Sequence, residues 1–64
     1  MSKLTLRAAR INSGMGQEEV AKALEVSTRT ISNWEHERTY PTIYQLVRLC
    51  KLYGVDVEDL FLPS

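Results

Sequence analysis

The sequence holds one cysteine, one histidine, two prolines and three glycines in 64 residues, and no apolar run long enough to span a bilayer. A lone cysteine excludes an intramolecular disulfide and a cysteine-rich metal site. Cys50 lies in LVRLCKLY, on an apolar helix stripe, and reads as a small buried hydrophobe rather than a reactive thiol. His36 has no Cys or His neighbour, so neither a metal site nor a Ser/His/Asp arrangement has partners to build on. A phosphate-binding glycine loop is also missing. No enzyme activity, cofactor, metal or small-molecule ligand is therefore expected. The opening MSKLTLRAAR lacks the apolar stretch of a signal peptide, so a soluble, cytoplasmic protein is expected.

Excess charge is lacking too, since eight Lys/Arg face eight Asp/Glu. That argues against a strong non-specific polyanion binder, but the charges are unevenly placed. Residues 1–55 carry every Lys and Arg and five of the acids, a balance of +3, while Asp56, Glu58 and Asp59 make the end acidic. The length suits one domain, residues 1–64, with a single small core.

What is present is helical periodicity, without strand alternation. Leu4, Ala8, Ile11 and Met15 recur at three- and four-residue steps, which predicts a first helix ended by Ser13-Gly14. Gln17 to Leu24 predicts a second, with Gly16 as N-cap, Glu18 and Glu19 at the positive end of the helix dipole, and Val20, Ala21 and Leu24 inward. Ser27 caps a third helix running to about Glu35, with Ile31 and Trp34 as anchors. Thr42 and Gln45 form a capping-box pattern before a fourth, with Ile43, Leu46, Leu49 or Cys50, and Tyr53 inward and Gly54 as its stop. Asp56 can cap a short fifth helix that returns Leu60 and Phe61 to the core before Pro63. The expected fold is all-α with five short helices.

The third helix has an informative outer face. At roughly 100° per residue, with Thr28 at zero, Ser32 falls at about 40°, Arg29 at about 100° and Asn33 at about 140°, whereas Trp34 and Ile31 fall at about 240° and 300°. Four polar side chains thus oppose two apolar anchors. Such a face can simply be solvated, yet each of the four is able to read a base edge. The preceding residues add weight to that second reading. Val20, Ala21 and Leu24, then Val26 across a tight corner, let two helices cross steeply with the small Ala21 at the contact.

The run RINSGMGQEEVAKALEVSTRTISNWE, continued by PTIYQLVRLCKLYGVDVEDLF, resembles the Cro and phage-repressor type of helix-turn-helix domain, the XRE family, from about Leu4 to Phe61. The resemblance implies a five-helix, lambda-repressor-like DNA-binding domain with its helix-turn-helix in helices 2 and 3. Such domains usually act as homodimers on a two-fold operator and regulate transcription. Carried over by position, Thr28, Arg29, Ser32 and Asn33 would contact bases. Gln17 would contact phosphate at a helix N-terminus, which favours anions. Arg38, with the backbone of Thr39 and Tyr40, would touch the sugar-phosphate chain, although Tyr40 can instead pack over Pro41. Arg10 and Glu35 match a partly buried ion pair of some members, against the alternative of two solvated charges.

Two departures stand out: Glu25 and Glu37 occupy positions where the family prefers glycine. A non-glycine residue in left-handed geometry costs on the order of 1 kcal/mol. Both glutamates also weaken attraction to DNA, which shifts the weight to specific contacts and dimerisation. The sequence ends about where the DNA-binding fold would end, so dimer contacts are expected from the outer face of helices four and five. Tyr44, Leu52, Val55, Val57 and Leu62 are the candidates, though Tyr44 and Leu52 can equally be isolated exposed residues. A transcriptional regulator, of repressor or Cro-like kind, is the leading expectation. A protein-interaction module such as an antitoxin is the rival.

Overall fold

The computed structural model describes residues 3–60 and contains four α-helices followed by a 3-10 turn. In chain order they are α1 (Leu6–Asn12), α2 (Gln17–Leu24), α3 (Thr28–Glu35), α4 (Ile43–Tyr53) and the turn Val57–Asp59. Phe61, Leu62 and Pro63, read above as core, dimer and stop residues, lie outside the described part.

Each helix starts where its cap chemistry dictates. The Thr5 hydroxyl accepts from the Ala8 amide at 3.0 Å, and the Ser27 hydroxyl accepts from the Thr30 amide at 3.1 Å. At the head of α4, Thr42 and Gln45 bond reciprocally at 3.1 and 2.8 Å. Gly16 has no side chain to offer α2, but Glu19 reaches back to its amide at 3.0 Å.

The helices end by one device. A residue with positive φ follows each: Gly14 (78°), Glu25 (60°), Glu37 (61°) and Gly54 (73°). The next amide then folds back to a carbonyl five positions earlier, Met15 to Arg10 at 3.3 Å, Val26 to Ala21 at 3.0 Å, Arg38 to Asn33 at 2.9 Å and Val55 to Cys50 at 3.0 Å. Carbonyls that a helix end would orphan are thereby satisfied. Glycine adopts this geometry without steric cost, whereas both glutamates hold it against their Cβ. Glu25→Gly is therefore expected to raise stability by up to about 1 kcal/mol, roughly 4 to 8 °C in melting temperature. A lower melting temperature would contradict this account of the corner.

The core gathers Ala9, Val20, Ala21, Leu24, Ile31, Trp34, Leu46, Leu49, Cys50, Tyr53 and Leu60. Val20, Ala21, Leu24, Ile31 and Trp34 are the inward residues expected of α2 and α3. Cys50 is a buried thiol whose pKa burial raises, as suits an inert hydrophobe.

Three expectations are corrected. The fifth helix is only a three-residue 3-10 turn, because Leu60 must run extended (φ −95°, ψ 142°) to bridge Leu4 in parallel. The Leu4 amide donates to the Asp59 carbonyl at 2.9 Å, which ties the two ends of the described chain. Ile11 is 49% exposed, and Ala9 is the buried residue of α1. Leu4 precedes the Thr5 cap and Met15 follows left-handed Gly14, so both pack on the core from outside the helix and do not share its frame. Ile43 is 75% exposed: it is the first residue of α4, where the helix runs past the edge of the core, and Leu46 makes the first inward contact.

Candidate nucleic-acid interface

With Ile31 and Trp34 buried, the opposite side of α3 is left uncovered. Thr28 and Arg29 are exposed, and Ser32 and Asn33 are partly so. Thr28 also lines a shallow groove with Gly16, Gln17, Glu18 and Glu19 at the head of α2. The fold thus sets the first of the four polar residues beside the amide end of the supporting helix, a geometry suited to an anion. Glu18 and Glu19 bring negative charge to the same rim, and Glu19 spends part of its own on the Gly16 amide.

His36 belongs to this face although catalytic reasoning set it aside. It caps α3 at near-helical angles (φ −93°, ψ 5°), and its wheel position, about 80°, lies between Ser32 and Arg29. The ring Nδ1 lies 2.8 Å from the Ser32 carbonyl, where an N–H at that atom donates. The signal was present in the same periodicity that picked out Ser32.

Beyond α3, Thr39 and Tyr40 are exposed in the connection to α4. Pro41 does not bury Tyr40. Arg38 turns back instead, and its Nη1 donates to Asn33 Oδ1 at 3.2 Å. Among the described residues no hydrogen bond or ion pair holds the Arg29 side chain, so its guanidinium is free to meet a ligand.

Behind the face sits a charged network. Arg10 Nε donates to Glu35 Oε2 at 2.7 Å and Arg10 Nη2 to Glu35 Oε1 at 3.3 Å. The side chains retain 11% and 2% of their exposure, so the ion pair is partly buried, with its carboxylate nearly shut off from solvent. Arg10 Nη1 donates to the Met15 carbonyl at 2.9 Å, and Gln17 Nε2 donates to Glu35 Oε1 at 3.0 Å. One carboxylate on α3 therefore holds side chains from α1 and α2. Gln17, assigned to phosphate on resemblance, has one amide hydrogen committed to Glu35 and its oxygen and second hydrogen left over.

Hydrogen bonding to Glu35 raises the Arg10 pKa further. Tyr53 is pushed up to about 12, chiefly by burial and then by the negative Glu35, with Arg10 opposing. Because the folded pKa exceeds the ordinary value of 10, this phenol's contribution to stability is intact below pH 10 and is lost as pH rises toward 12. In Tyr53→Phe that alkaline loss should disappear from pH-dependent urea titrations, together with one late step in tyrosinate absorbance. An identical alkaline profile in the variant would contradict the assignment.

The dimer candidates are split by the fold. Tyr44 is 71% exposed and Val57 is also exposed, whereas Leu52 and Val55 pack partly on the core. Ile43, Tyr44 and Val47 make an exposed apolar stripe on the first turns of α4, and Tyr40 is exposed in the connection before it. Leu62 lies outside the described residues. No helix among the described residues is long and apolar enough to cross a membrane, and no cluster of three metal-binding side chains occurs there.

Comparison with known proteins agrees with this geometry. Residues 6–60 match a family described as Helix-turn-helix. The chain is 33% identical over 55 residues to the HTH-type transcriptional activator BcrR of Enterococcus faecalis, a match covering 86% of this chain and 27% of that protein. The chain thus spans about a quarter of the activator's length. It is also 33% identical over 60 residues to an uncharacterized HTH-type transcriptional regulator of Methanocaldococcus jannaschii, covering 94% of this chain and 91% of that protein.

Proposed function

The chain belongs to the Cro/C1-type helix-turn-helix family, which is not enzymatic, and on that premise we propose that it is a transcriptional regulator reading duplex DNA through the outer face of α3. The observation that carries this reading is the uncovered polar face, Thr28, Arg29, Ser32 and Asn33, on a helix pinned from behind by Ile31 and Trp34. Thr28, Arg29, Ser32 and Asn33 contact base edges in the major groove, and His36 extends that surface. The α2 amides with Gln17, the Arg38 guanidinium and the backbone of Thr39 and Tyr40 engage phosphates.

The operator is a palindrome bound by a homodimer. One module of this size buries limited surface on DNA, and two modules one helical turn apart double the contacts. The stripe of Ile43, Tyr44 and Val47, with Tyr40 before it, supports pairing through the start of α4, in place of the broader surface with Leu52 and Val55 expected from the sequence. The regulatory outcome we propose is repression, by occupancy of the promoter site. One relative is named an activator, so a reporter carrying the selected site provides the check on sign.

Selection from random duplex DNA, followed by salt-titrated affinity, tests the DNA-reading and homodimer parts of the proposal. The expected result is an enriched palindrome and a steep fall of affinity with salt. Tyr44→Lys should bind an isolated half-site as before but lose the extra affinity for the full palindrome. Binding without sequence enrichment would falsify the repressor reading. It would favour a protein-interaction module, for which the same apolar stripe would be the docking surface.

A further inference from the structure

We propose that Arg38 is a specificity-positioning residue, which orients the Asn33 carboxamide so that this position of the reading face meets DNA as a hydrogen-bond donor. The inference rests on the DNA-reading function proposed above. Its origin lies in the left-handed turn at Glu37, with φ of 61°. That turn sends the Arg38 amide back to the Asn33 carbonyl at 2.9 Å, so the two residues are fastened through the backbone first. Helix ends of this kind commonly place an apolar contact between the corresponding side chains. Here the pair is polar, with Arg38 Nη1 donating to Asn33 Oδ1 at 3.2 Å.

A guanidinium has donors and no acceptor, so the Asn33 atom facing Arg38 must be the oxygen. The carboxamide is then fixed with its NH2 group turned elsewhere. A free asparagine pairs with adenine by using oxygen and nitrogen together, whereas here Arg38 takes one of the oxygen's two lone pairs and holds that atom on its own side, so the carboxamide leads with its N–H donors. The base edge that suits it offers acceptors, and guanine, with N7 and O6, offers two. Arg38 thus contributes to affinity through phosphate and to specificity through Asn33. A role confined to the sugar-phosphate chain, which the resemblance implies for Arg38, would instead make Arg38→Ala weaken all sites alike.

The decisive experiment is a four-protein set: wild type, Arg38→Ala, Asn33→Ala and the double variant, each with a melting curve to establish folding. Affinities are measured on the selected operator and on versions carrying every other base at the position whose preference Asn33→Ala abolishes. Wild type should favour guanine there. Arg38→Ala should lower that preference about fivefold, or move it toward adenine, while scaling every other position by one common factor. In the Asn33→Ala background, Arg38→Ala should leave the position unaltered. A uniform loss across all sites, or a wild-type preference for adenine, overturns the inference while leaving DNA reading intact. A wild type that enriches no sequence at all overturns the proposed function itself.

Discussion

Arg10→Met should destabilise the fold by about 3 kcal/mol or more, measured by urea unfolding at neutral pH. The Glu35 side chain is 2% exposed and accepts two hydrogen bonds from Arg10 and one from Gln17. Without the guanidinium, the carboxylate would keep one neutral donor and almost no water. For a chain of this length total stability is on the order of 3 to 10 kcal/mol, so the substitution should remove roughly a third of it or more. Glu35→Gln is the milder change, because a neutral amide stays in place and Arg10 retains the Met15 carbonyl. A double-mutant cycle on the two substitutions isolates the coupling. Negligible coupling would mean that the pair behaves as two solvated charges, despite its geometry.

Arg29→Ala should weaken operator binding by about 1 to 3 kcal/mol and relax preference at one base position. The residue is exposed on the face opposite Ile31 and Trp34, and no side chain among the described residues engages it. Nothing in the fold depends on it, so the melting temperature should hardly move. The bidentate contact to guanine proposed for Arg29 would give the loss its positional character. Titrations against the selected site and its single-base variants provide the measurement. Uniform weakening of every variant would show that Arg29 serves as a phosphate contact, reversing the assignment made here.

The contrast between Arg29 and Arg38 shows how far the sequence could be read. Both are basic residues near the same helix, and periodicity placed Arg29 on its outer face directly. Arg38 lies beyond the helix end, where angular arithmetic stops, and its partner follows from the backbone reversal at Glu37. Gln17 is a parallel case. Its place at the head of α2 was legible, but its bond to Glu35, eighteen residues away, arises only when α2 and α3 pack. The errors at Ile11 and Ile43 share this cause: each sits near a helix end, where the regular frame or the core beneath it runs out.

Local order along the chain settled much of this protein. Apolar spacing at three and four residues, with Ser27, Thr42 and Gln45 as caps, was enough to place α2, α3 and α4 and to leave four polar residues on one side of α3. These are short-range effects, decided within a few turns of one helix. Packing decided the rest. Burial of Glu35 among Arg10 and Gln17, the bridge between Leu4 and Leu60, the stripe left bare on α4 and the tie from Arg38 to Asn33 all join residues whose meeting depends on how helices cross or where a chain reverses. No periodic pattern encodes such meetings, because each depends on the relative placement of elements that the pattern describes one at a time.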